Sequence, residues 1–123
     1  MNLQLLEAGL LERMLNMLDP SLDRKLLEAA VAAVTHFSKT LPICTYVCDL
    51  GLKRILSLLD SEGFGVQCNT LALLGALAEF PDLSDRVLSN HALPLLFKLR
   101  DQRFACCRVL SAQLHLLAAK CKT

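Results

Sequence analysis

Residues 51–80 read GLKRILSLLDSEGFGVQCNTLALLGALAEF, and the fold turns on how this stretch is read. Gly51–Asp60 has the apolar spacing of a short amphipathic helix. Ser61-Glu62-Gly63 breaks it, and Gly65 follows closely. Val66–Ala78 then reads as a longer helix that is apolar almost all round, the pattern of a helix buried on most of its sides. A single hairpin of this kind leaves its own apolar surface open, so it needs a similar unit on each flank.

The rest of the chain supplies those units. Gly9-Leu-Leu-Glu-Arg-Met-Leu-Asn-Met-Leu-Asp19, Gly51-Leu-Lys-Arg-Ile-Leu-Ser-Leu-Leu-Asp60 and His91-Ala-Leu-Pro-Leu-Leu-Phe-Lys-Leu-Arg-Asp101 superimpose. Met14, Ile55 and Leu96 occupy matching places, and Asp19, Asp60 and Asp101 close the three segments. A second helix follows each time: Leu26–Ser38, Val66–Ala78 and, more loosely, Cys106–Ala118. Ala32, Ala72 and Ala112 coincide within it, as do Ser38, Ala78 and Ala118. Between units lies a shorter piece opened by a proline, Pro42–Leu50 and Pro81–Asn90, where the missing N–H suits a first helical turn. The expected unit is thus a short, a medium and a longer helix, in a single all-α domain over residues 1–123, with repeats at about 1–40, 41–80 and 81–120. A period of about 40 residues belongs to armadillo and HEAT solenoids, whereas TPR and ankyrin repeats run at about 33–34.

Composition agrees with helices packed on helices. The chain of 123 residues is 54% hydrophobic and 5% aromatic, without Trp, and its alternating β-branched runs are missing. Its mean hydropathy is +0.43, yet the longest uncharged run, Gly63–Ala78, is shorter than the ~20 apolar residues a spanning helix needs. No basic n-region and cleavage site opens the chain, and Glu7 and Glu12 argue against a transit peptide. Cytoplasm is the expected compartment, with the nucleus the alternative. The six cysteines, Cys44, Cys48, Cys68, Cys106, Cys107 and Cys121, sit inside helical apolar patterns. They are expected to be reduced thiols acting as small hydrophobes, against a zinc or disulfide reading.

Several short motifs resemble the armadillo family. Glu7-Ala8-Gly9 precedes Leu10-Leu11, Leu93-Pro94 precedes Leu95-Leu96, and Val66-Gln67 opens the long helix. These look like the family's EAG-x-IP-x-L-x-x-LL pattern and its VQ-x-x-AA-x-AL-x-NL continuation. The resemblance spans nearly the whole chain and implies a right-handed α-α superhelix of about three repeats. It implies a protein-interaction scaffold or adaptor, with the long helices along a concave face. Ala32, His36, Asn69, Ala72, Ala76, Val109, Ala112 and Leu116 are then the candidate protein-binding residues. Many peptide-binding members carry an Asn near the end of each long helix and an aromatic one turn earlier. This chain has His36, Ala76 and Leu116 at the first position and Ala32, Ala72 and Ala112 at the second, so the extended-peptide clamp of nuclear-import receptors does not carry over. A shallow, mostly apolar groove suits the apolar face of a partner helix. The alternative is that the alanines are core, letting helices approach closely.

Charge is uneven: residues 1–90 carry seven basic and eleven acidic side chains, and residues 91–123 carry six and one. Lys98, Arg100, Arg103 and Arg108 form a candidate basic patch, read first as a solvated helix face and then as a surface for an acidic protein. Missing aromatic interleaving argues against nucleic acid, although a basic solenoid on nucleic acid stays open as an alternative. A second alternative is a co-chaperone or assembly factor holding client proteins. No enzyme is expected: Gly63-Phe-Gly65 lacks the Lys and strand of a phosphate loop, and no Ser, Cys or His sits in a pattern that activates it. No cofactor and no metal are expected, since no His completes a zinc spacing with Cys44 and Cys48. Solenoid ends normally carry a polar outer face. Here Leu3, Leu5, Leu6, Leu110, Leu114, Leu116 and Leu117 are apolar, which implies either a piece of a longer solenoid or self-association through the ends.

Overall fold

A computed structural model describes residues 5–19, 21–60, 63–87 and 112–113. They form helices joined by short turns, with no strand among them: α1 (Leu5–Asn16), α2 (Arg24–Phe37), α3 (Leu41–Ser57), a 3-10 turn (Leu58–Asp60), α4 (Phe64–Ala78) and α5 (Pro81–Val87). Ala112 and Gln113 are also helical. The rest of the third segment, including His91 and Asp101, lies outside the described residues.

Local chemistry sets the helix ends. The Asp19 carboxylate accepts the Ser21 N–H at 3.0 Å, closing the turn after α1. That hydrogen bond holds the Asp19 carboxyl below its usual range. Asp23 caps α2 by accepting the Lys25 N–H at 3.2 Å. Ser38 ends α2, its hydroxyl donating to the Val34 carbonyl at 2.7 Å. Pro42 sits in the first turn of α3, as expected of a residue without an N–H.

One expectation is corrected here. Pro42–Leu50 and Gly51–Asp60 are not two helices, because α3 runs unbroken through Gly51. Gly51 does not take up the left-handed backbone that would end a helix. It is buried, and a Cβ built on it would lie 3.0 Å from Leu15 Cδ2. The glycine serves a close helix–helix approach there instead of a break. The chain turns later, through the 3-10 turn, where Gln67 Nε2 donates to the Leu59 carbonyl at 3.2 Å and ties the turn to α4.

Each helix packs on the one two places further on: α1 on α3, and α2 on α4, while α5 covers α3 and α4. Hydrogen bonds span both pairs. Arg54 Nη1 donates to the Leu15 carbonyl at 3.1 Å, across 39 residues. Asn69 Nδ2 donates to the Glu28 carbonyl at 3.1 Å, across 41 residues. The separations match the sequence period.

The core collects Leu11 and Leu15 from α1, Leu27, Val31 and Val34 from α2, Val47 and Ile55 from α3, and Leu83 and Val87 from α5. At its centre α4 buries Val66, Leu71, Leu73, Leu74 and Leu77 completely. This wide buried arc explains why the helix reads as apolar almost all round.

Candidate protein-interaction surface

The α2–α4 pair carries most of the describable candidate residues, and its register follows from three contacts. Gly63 lies against the Arg24 side chain, Gly65 against the Glu28 carboxylate, and Asn69 on the Glu28 carbonyl. Numbers rise together along both helices, so α2 and α4 run parallel, offset by about one repeat. One turn past Glu28 and Asn69 along the two helices stand Ala32 and Ala72, and a further turn on stand His36 and Ala76.

Burial settles which alanines belong to the surface. Ala32 and Ala72 are exposed, as is His36, while Ala76 and Asn69 are half-buried. By contrast Ala30 and Ala78 are core. The accessible residues of α4 fall on one stripe: Gly65, Cys68, Asn69, Ala72, Gly75 and Ala76, with Glu79 at its end. Ala72, Gly75 and Ala76 give it a stretch of small side chains, flanked by the Glu28 carboxylate against Gly65 and by Glu79.

Two candidates have further structural duties. Asn69 uses its amide N–H inside the chain, holding α4 to α2, so this donor is engaged with the backbone. The His36 ring stands edge-on to Phe37, centroids 5.9 Å apart. Ala112 is half-buried. Val109 and Leu116, and the whole basic patch of Lys98, Arg100, Arg103 and Arg108, lie outside the described residues.

The cysteines divide. Cys44 and Cys48 are free and buried on α3, one turn apart. Cys68 departs from the expectation of reduced thiols: it is disulfide-bonded. Cys106, Cys107 and Cys121 lie outside the described residues. Among the described residues no group of three His, Cys, Asp or Glu is placed to hold a metal ion, and no helix is long and apolar enough to cross a membrane.

Burial pushes the Cys44 thiol up from 9.0 to about 11, with Cys48 and Glu79 adding repulsion to its anion. Burial also raises Cys48, partly offset by Arg86. The folded chain therefore keeps these protons to higher pH than the unfolded chain. The Cys44 contribution to stability is fully present below about pH 9 and is lost as pH rises toward 11, and Cys48 acts in the same direction. The urea midpoint should fall over that window, and fall less steeply in Cys44→Ala. Neither thiol should react with Ellman's reagent in the folded chain at neutral pH.

A cleft between α3 and α5, to which no sequence motif pointed, brings Lys53, Arg54 and Arg86 together. The adjacent cations Lys53-Arg54 are the only local sign of it, and the meeting with Arg86 depends on the packing of α5 on α3. None of the protein-family models, curated proteins or solved structures compared with this chain matches it.

Proposed function

We propose that this chain is an armadillo-like solenoid of about three repeats, acting as a non-enzymatic adaptor. Its α2–α4 face takes the apolar side of a partner helix. Two observations support the solenoid reading: helices one repeat apart pack on each other, and side-chain hydrogen bonds recur at separations of 39 and 41 residues. The observation that carries the binding reading is the exposure of Ala32 and Ala72 on adjacent parallel helices. Methyl groups there present a shallow apolar bed, and small side chains let a partner helix lie close.

The test is affinity capture followed by mass spectrometry, comparing the wild type with Ala72→Arg and Ala32→Arg. An arginine in the strip places a long charged side chain where the partner's apolar face would lie. Both variants should lose the same captured protein while keeping the wild-type circular dichroism spectrum, and Glu12→Lys, at an exposed position of α1, should retain it. A captured set shared by wild type, Ala72→Arg and Ala32→Arg would overturn the assignment of this face.

A further inference from the structure

The cleft between α3 and α5 has a different chemistry from the alanine strip. It encloses about 350 Å³, and Asp49, Leu50, Leu52, Lys53, Arg54 and Arg86 contribute to its walls. Its described wall residues include three cations and one carboxylate, and that carboxylate is already paired: Arg86 Nη2 lies 2.8 Å from Asp49 Oδ1. The pair spans the two helices and holds the Arg86 guanidinium at the rim.

Arg54 is held as firmly from the other side. Its Nη1 donates to the Leu15 carbonyl and to Asn16 Oδ1, both at 3.1 Å. A guanidinium has five N–H donors in a rigid fork, so these bonds orient the group and leave others for a ligand. The Asp19 carboxylate feels the Arg54 charge but is itself engaged by the Ser21 N–H. Lys53 is exposed. Two of the three cations are thus pre-positioned, which reduces the entropy lost on binding an anion.

Leu50 adds an apolar element. It is 49% exposed and stands in the same wall as Lys53 and Arg54. A cationic rim around an uncovered leucine is complementary to a segment bearing both carboxylates and an aliphatic side chain. Free phosphate would use the cations and leave Leu50 in water. A nucleic-acid strand would want an aromatic platform, and none of the described wall residues is aromatic.

We infer that the α3–α5 cleft docks an acidic, leucine-bearing segment of a partner protein, with its carboxylates on Lys53, Arg54 and Arg86 and its aliphatic side chain on Leu50. The site shares no residue with the α2–α4 face, so each stands or falls alone.

The probe is a fluorescein-labelled peptide of Asp, Glu and Leu, followed by anisotropy against the full chain. Binding should weaken about 10-fold in Lys53→Glu and about 5-fold in Leu50→Ala. Lys25→Glu, on α2, should bind as the wild type does, and higher salt should weaken all binding. Both cleft positions are exposed, and unchanged thermal melts would show that the variants fold. No binding by wild type, equal binding of the Asn/Gln analogue, or indifference to Lys53→Glu would each overturn the proposal. Displacement by inorganic phosphate with binding indifferent to Leu50→Ala would overturn it too, marking a simple anion site.

Discussion

Leu73→Ala should destabilise the chain by about 3 kcal/mol, while Ala72→Arg, at the preceding residue, should change stability by no more than about 0.5 kcal/mol. Leu73 has no solvent exposure and lies within the core cluster. Truncating it removes its transfer free energy and leaves a cavity that α4, packed by α2, α3 and α5, can only partly close. Ala72 points the other way and is exposed. An arginine there keeps good helix propensity and reaches into water. Urea denaturation followed by circular dichroism measures both changes. Against a typical total stability of about 5–15 kcal/mol, the first should be plain. Equal damage by both substitutions would show that Ala72 is packed, and the interaction face would have to be sought elsewhere.

Gly75→Ala and Gly51→Leu should move stability in opposite directions. Gly75 lies inside α4, and a Cβ added there would meet nothing within 4 Å. Alanine restricts the unfolded backbone and introduces no clash, which should stabilise by about 0.5–1 kcal/mol. Gly51 also lies inside a helix, but an added Cβ would come within 3.0 Å of Leu15 Cδ2 and 3.6 Å of Leu15 Cγ. For Gly51→Ala the propensity gain and the displacement of one leucine methyl should nearly cancel. Gly51→Leu adds further carbons to that contact and should cost about 2–3 kcal/mol through overpacking. Thermal melts of the three variants decide it. A Gly51→Leu protein as stable as wild type would mean that α1 is not seated on α3 at this point.

These pairs also mark the limit of reading the chain by pattern. Leu73 and Leu74 declare themselves, because a leucine brings about 1.5–3 kcal/mol to burial and its spacing reveals the buried arc. An alanine brings little, so its pattern fits core and surface alike. Ala30 and Ala78 are core while Ala32 and Ala72 are exposed, and only the packing of α4 against its neighbours separates them. Gly51 is a similar case. Its sequence context suits a helix break, but the backbone it adopts depends on Leu15, 36 positions away in the chain.

Legible in the sequence alone were the helices of the described residues, the starts of α3 and α5 and the ends of α2 and α4. These follow from apolar periodicity, proline placement and capping side chains, all of which act over a few neighbouring residues. Tertiary structure decided the continuity of α3, the exposure of the alanine strip, the use of Asn69 as a brace, the bonding of Cys68 apart from Cys44 and Cys48, and the meeting of Lys53, Arg54 and Arg86. Each depends on contacts between residues distant in the chain, and no local propensity carries information about which surfaces the packed helices bring together.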